Sequence, residues 1–272
     1  MKAIVNSPIC PLMSQPRRDC EMADEALFGM VVEVLERTTA GYCKVRTHYR
    51  YEGYAAVNDL ILSDEAAGQW TVLPKKVVLH KNICDVMAGP RYQSWQRLTL
   101  PRGAVVSPAG EPEKDWQRVK LPDGSEGYIR AGWLGDYFDA PPDLPEDELR
   151  QRIVDAAMLY AGTQYRWGGK SPLGIDCSGL VSIAYLLNGI LIYRDARIVD
   201  GFPIYEIPRE AMKPADLLFF PGHVAMYIGG GQYCHSTGRA GDDGFAINSL
   251  DPAAPDYRKD LAEIITQVGS YF

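Results

Sequence analysis

Short runs of alternating apolar and polar residues, broken by glycine-containing turns, fill the first half of this chain. Gly29-Met30-Val31-Val32-Glu33-Val34-Leu35, Cys43-Lys44-Val45-Arg46 and Glu52-Gly53-Tyr54-Ala55-Ala56 carry the period-two pattern of half-buried strands. A second set repeats it in Gly103-Ala104-Val105-Val106, Trp116-Gln117-Arg118-Val119-Lys120 and Glu126-Gly127-Tyr128-Ile129. Each set closes on a leucine, Leu60 or Leu134, shortly after a Glu-Gly-Tyr segment. The copies, over about residues 3–64 and 76–136, predict two small all-β barrels, each closed on itself to remove exposed edges.

The period then changes. Asp139-Ala140-Pro141-Pro142-Asp143-Leu144-Pro145 reads as an extended spacer. Glu146-Asp147-Glu148 places negative charge at the start of a helix running through Ile153, Ala156, Ala157, Leu159 and Tyr160. Ser178 to Leu187 is apolar on most faces and predicts a largely buried helix, stopped by Asn188-Gly189. Phe219 and Phe220 suit a core strand, and the runs flanking Gly229-Gly230-Gly231 predict a β-hairpin. The expected division is 1–75 and 76–138 for the two barrels, 139–147 for the linker, and 148–272 for an α+β domain.

Composition narrows the class. With 272 residues, 46% hydrophobic and 23% charged, the chain can bury several cores. A net charge of −7 argues against nucleic-acid or anionic-membrane partners. There is neither an eighteen-residue apolar run nor an apolar leader after Met1. Cys10, Cys20, Cys43, Cys84, Cys177 and Cys234 lack a framework spacing, which suits a reducing compartment. The cytoplasm is therefore the expected location, with a secreted protein whose leader has been removed as the alternative.

The chemistry gathers in the α+β region. Cys177 opens the helix, where free N–H groups and the positive dipole end favour a thiolate. His223 begins one hairpin strand and His235 ends the other. With a turn centred on Gly229 they oppose one another directly, Cβ atoms about 4.5–5.5 Å apart. His223 can then take the proton of Cys177 while His235 holds its tautomer. The backbone N–H of Cys177 and the Tyr165 hydroxyl are candidate oxyanion donors. Read singly, Cys177 could be a small core residue and His235 an ordinary satisfied histidine. Zinc ligation by Cys177, His223, Cys234 and His235 is disfavoured, because no ligand spacing supports it and Cys234 and His235 point to opposite sheet faces. No metal or other cofactor is expected.

Four ordered blocks carry a family resemblance: Tyr165-Arg166-Trp167-Gly168-Gly169, Asp176-Cys177-Ser178-Gly179-Leu180, Lys213 to Phe220, and Gly222-His223-Val224-Ala225-Met226-Tyr227-Ile228-Gly229. Residues 148–272 resemble the NlpC-type cell-wall cysteine peptidases. The resemblance implies a papain-like core, with Cys177, His223 and His235 catalytic. It also implies a peptidoglycan stem peptide as substrate, cut between γ-D-glutamate and a diamino acid. The barrels resemble bacterial SH3-like domains, through phrases such as Ala26-Leu27-Phe28-Gly29 and Glu52-Gly53-Tyr54.

Two-barrel relatives imply either an anchor for intact wall or a cap that reads the peptide's free N-terminal L-Ala. On the capping reading Glu52 would hold the α-amine, with Tyr92 as a second wall. Asp176 would also hold the amine and Ser178 a substrate carboxylate, while Asp176 could instead cap the helix. Trp167 would line the groove. The family often has Ser in an Arg-Asp-Ser triplet, where this chain has Arg194-Asp195-Ala196. A non-catalytic wall-binding protein of the same fold is the other class kept open.

Overall fold

Each alternating copy folds into a seven-stranded antiparallel sheet in the computed structural model, which describes residues 1–272. The first comprises β1 (Lys2–Val5), β2 (Ile9–Met13), β3 (Met22–Leu27), β4 (Val31–Arg37), β5 (Tyr42–Thr47), β6 (Glu52–Ala56) and β7 (Leu60–Ile61). After helix α1 (Asp64–Val72) come β8 (Lys76–Val78), β9 (Ile83–Met87), β10 (Gln96–Pro101), β11 (Val105–Pro108), β12 (Trp116–Lys120), β13 (Glu126–Arg130) and β14 (Leu134–Asp136). The strand orders are β3-β2-β6-β5-β4-β1-β7 and β10-β9-β13-β12-β11-β8-β14, the same topology twice.

The recurring Glu-Gly-Tyr phrase has a packing cause. A Cβ on Gly53 would lie 2.8 Å from the Leu12 side chain, and one on Gly127 only 2.3 Å from Val86. In both copies the strand must pass its neighbour at backbone distance, and only glycine permits that. Helix α1 was not anticipated. Ser63 caps it by accepting the Ala66 N–H at 3.1 Å, and the Trp70 indole donates to the Gly29 carbonyl at 2.8 Å. The Val105 N–H donates to the Phe28 carbonyl at 2.8 Å, and the Phe28 ring sits in the second sheet's core with Val86, Leu100 and Ile129. The two sheets form one unit, Met1–Tyr137.

The second unit is Phe138–Phe272. Its elements are α2 (Glu146–Met158), the short pair β15 (Lys170–Ser171) and β16 (Gly174–Ile175), α3 (Cys177–Leu186), β17 (Tyr205–Ile207), β18 (Leu217–Phe220), β19 (His223–Gly229), β20 (Gln232–Thr237), β21 (Gly244–Ser249), α4 (Lys259–Ala262) and β22 (Gln267–Ser270). The six-stranded sheet runs β17-β22-β18-β19-β20-β21, with α3 packed on β19 and β20 and α2 on α3. The proline-rich stretch is not a detached spacer. The Ala140 carbonyl lies against Gly189 at the end of α3, where a Cβ would come within 2.3 Å. No helix is long and apolar enough to cross a membrane.

A buried ion pair ties α2 to the sheet. The Arg150 guanidinium donates to Asp216 and to the Pro214 carbonyl, both at 2.8 Å. Asp216 also accepts from the Ser270 hydroxyl at 2.6 Å and the Lys213 N–H at 2.8 Å. Removing the carboxylate leaves this buried cation with only the exposed Glu146 carboxylate, 2.8 Å from its Nε, as a charged partner. Asp216→Ala should therefore lower unfolding free energy by about 3–5 kcal/mol. Urea unfolding followed by circular dichroism checks this, and a change below about 1 kcal/mol would show the pair to be dispensable.

Candidate active site

Cys177 is the first residue of α3, and Asp176 is its cap, accepting the Gly179 N–H at 2.6 Å. The thiol is 7% exposed and receives a hydrogen bond from the backbone N–H of Val224, the residue after His223. Helix packing on β19 thus brings the sulfur to the start of the strand that carries the first histidine.

His223 Nε2 lies 2.8 Å from His235 Nδ1, with the rings near perpendicular at 81°. The two are not directly opposed, as a turn on Gly229 predicts. Met226 pairs with Cys234 and Tyr227 with Tyr233, a register that sets Ala225 rather than His223 opposite His235. Gly229, Gly230 and Gly231 all adopt positive φ (94°, 60° and 76°), so the turn takes one more residue and centres on Gly230. Moving the centre by one shifts the pairing by two, which preserves the face. The histidines become diagonal neighbours, about 7–8 Å apart at the backbone and within reach for imidazoles.

The row continues one strand further. His235 Nε2 is 2.8 Å from Asn248 Oδ1, and the Asn248 amide donates to the Asp256 carbonyl at 2.9 Å. Asn248 lies on β21, two residues from Ala246, the partner of His235. Asn248 was not foreseen, and the face rule would have found it once the third strand's register was known. His235 is fully buried.

Burial dominates the electrostatics. It pushes His223 down to about 3, helped by His235 and Arg258. The imidazole is therefore neutral at physiological pH and able to accept a proton. Burial and the Asp176 charge push the Cys177 thiol up to about 11, against the hydrogen bonds from Val224 and Ser178 and the charge of Arg194. The helix terminus does not overcome desolvation here, so the sulfur is held as a thiol rather than a thiolate. Tyr165 is raised to about 12 by burial first and by Cys177 and Asp176 next, which keeps its hydroxyl a donor. Tyr165 bridges to Ile175, the last residue of β16, just before Asp176.

Asp176 has no lone pair to spare. It accepts from Gly179 at 2.6 Å, Gly168 at 2.8 Å, Ser178 at 3.2 Å, and both Arg194 terminal nitrogens at 3.1 and 3.2 Å. The Ser178 hydroxyl is likewise used, accepting from Arg194 at 2.7 Å. Capping and loop anchoring are what Asp176 does, and gripping an amine would require displacing the 2% exposed Arg194. Ser178 already donates its hydroxyl proton to Asp176 at 3.2 Å, the proton that a substrate carboxylate would have to take. Trp167, beside these glycines, is 59% exposed.

Glu52, expected to hold a substrate amine, is already paired within its own sheet. The side chain is partly exposed and paired with Lys44 at 3.0 Å and Arg46 at 2.7 Å, like a solvated surface acid. Tyr92, 64% exposed, packs edge-on against Trp116 and under the Arg130 guanidinium, within the second sheet's unit. No cluster of three or more His, Cys, Asp or Glu side chains is arranged to hold a metal ion.

A neutral thiol, a base held by a second imidazole, an N–H at a capped helix start and a protonated phenol are the parts for acyl transfer to sulfur. Comparison with known proteins finds related peptidases. A model of the NlpC/P60 family matches residues 162–253, and one of the bacterial dipeptidyl-peptidase Sh3 domain matches residues 12–60. Dipeptidyl-peptidase 6 of Lysinibacillus sphaericus is 44% identical over 275 residues, covering 100% of both chains. The gamma-D-glutamyl-L-lysine dipeptidyl-peptidase of Bacillus subtilis is 32% identical over 138 residues, 46% of this chain and 44% of its own. The crystal structure of an NlpC/P60 family protein from Bacillus cereus covers 100% of this chain and 99% of its own, with a TM-score of 0.79 and 22% identity. That last likeness is one of fold.

The depressed His223 pKa makes a stability prediction. Between about pH 3 and the ordinary imidazole value near 6.5, the unfolded chain holds a proton that the folded residue does not. The contribution of this residue is thus complete above pH 6.5 and is lost as pH falls towards 3, about 2 kcal/mol by pH 5. His223→Asn should lose correspondingly less stability between pH 7 and 5 in urea titrations. Equal losses in the two proteins would contradict the burial argument.

Proposed function

This chain belongs to the NlpC/P60 family of cell-wall peptidases, and on that premise we propose a cysteine peptidase that cuts peptidoglycan stem peptides after γ-D-glutamate. The observation that carries the proposal is His223 Nε2 held 2.8 Å from His235 Nδ1, at the start of the strand whose Val224 N–H reaches the sulfur of the helix-capped Cys177. Cys177 Sγ attacks the γ-carbonyl carbon as its proton passes to His223. The oxyanion is met by the Cys177 N–H and the Tyr165 hydroxyl. Collapse breaks the C–N bond, and His223 gives its proton to the departing amine of the diamino acid. Water, deprotonated by His223, then hydrolyses the thioester and frees the thiol. Trp167 offers an exposed apolar face for the substrate's methylene chains.

Proton transfer concerted with attack suits the raised thiol and lowered imidazole, since burial opposes a standing ion pair. The name dipeptidyl-peptidase, borne by the relative that aligns end to end, supports counting two residues from a free N-terminus. In a stem peptide those two are L-Ala and γ-D-Glu, so recycling of released peptides is the proposed setting. The second seven-stranded sheet is proposed as another SH3-like domain, on the strength of its identical strand order.

The test compares L-Ala-γ-D-Glu-L-Lys, its N-acetyl form and intact murein. The free tripeptide should yield L-Ala-γ-D-Glu and lysine, and acetylation should lower kcat/KM by about 10–100-fold, the worth of a hydrogen bond to a charged group. Cys177→Ala should remove turnover while leaving the unfolding midpoint near wild type. Persistent turnover in that variant would refute the mechanism. Digestion of intact murein as fast as the free peptide would refute the recycling role.

A further inference from the structure

We infer that Asn248 is a positioning residue whose fixed amide sets the tautomers of His235 and His223, leaving His223 Nδ1 as the bare nitrogen for Cys177. The inference rests on the cysteine-peptidase reading for its consequence and on geometry for its content.

The chain of deduction starts at a group that cannot change role. The Asp256 carbonyl only accepts, so the Asn248 atom 2.9 Å from it is the NH2 group. Oδ1 then faces His235 Nε2 at 2.8 Å and can only accept, so that nitrogen carries a proton. A neutral imidazole carries one proton, which leaves His235 Nδ1 an acceptor. The 2.8 Å contact with His223 Nε2 therefore needs the proton on His223. The remaining nitrogen of His223, Nδ1, is an unprotonated lone pair. Each link forces the next, and the backbone anchors the last.

The consequence is directional. Were His235 to flip its proton to Nδ1, His223 Nε2 would become the acceptor and Nδ1 would present a hydrogen to the sulfur. That tautomer has no base for the thiol. Asn248 excludes it at a site where the second imidazole alone, with two interchangeable nitrogens, would not. When His223 takes the thiol proton, the His235 and Asn248 dipoles already point their negative ends along the row towards the new cation.

Two measurements test this. Nitrogen-15 NMR of histidine-labelled protein near neutral pH should show His223 protonated at Nε2 and bare at Nδ1, with the same pattern in His235. Asn248→Leu keeps the branched shape and removes the acceptor. It should bring in the Nδ1–H form of His223 and lower kcat by about 10–100-fold, part of the roughly 10²–10⁴ that a positioned base contributes, with KM changed less than about twofold. Opposite proton placement in the wild-type spectrum would overturn the inference, as would unchanged tautomers and kcat in Asn248→Leu. If that variant does not fold, the wild-type spectrum decides alone. The spectrum needs no turnover, so failure here is separable from failure of the peptidase assignment, which Cys177→Ala decides.

Discussion

The candidate site depends on one carboxylate. Asp176 caps the helix that carries Cys177, takes the Gly168 N–H of the preceding turn, and pairs with Arg194 from the segment after the helix. The turn before the helix, the helix start and the segment after it are thereby fixed to one point beside the sulfur. A carboxylate so placed would raise the thiol's pKa further were it unopposed, and Arg194 tempers that effect as well as the cost of burying Asp176. The same bonds engage both Asp176 and Ser178 within the protein itself.

How much of this could be read beforehand follows from the physics of each pattern. Strands β4, β5 and β6 and their counterparts β11, β12 and β13 alternate apolar and polar residues clearly, and the sequence exposes them. Strands β2 and β3 do not, because Pro11 interrupts one and the buried Asp24 and Glu25 sit in the other. The histidine pair was legible because side chains recur every two residues, so a turn one residue longer changed the partner without changing the face. Asn248 was not legible, since its place depends on the register of a third strand, β21, whose sequence carries no alternating pattern of its own. Arg194 and Asp176 show the same limit, for a charged residue gives no sign in sequence that it is fully buried against its partner.

Glu52 shows a repeat that packing explains. Its position before Gly53 matches that of Glu126 before Gly127, and the glycine, not the acid, is what the strand crossing requires. Lys44 and Arg46 on the adjacent strand β5 compensate Glu52, as Arg118 on β12 approaches Glu126 at 3.7 Å. The repetition is therefore one of cross-strand charge pairing on an outer face, which is structural in both copies.

A neutral row behind the base fits the charges around it. Arg258 is held by Asp260 at 2.6 Å and Asp242 at 3.3 Å, and its residual positive field reaches both imidazoles. A carboxylate in place of Asn248 would draw a proton onto His235, giving it hydrogens on both nitrogens and removing the acceptor that His223 requires. An amide accepts as well as a carboxylate does without that pull. With two histidines in series, orientation of the base is better served by a dipole of fixed direction than by a charge, because only the dipole leaves the intervening ring with a single proton.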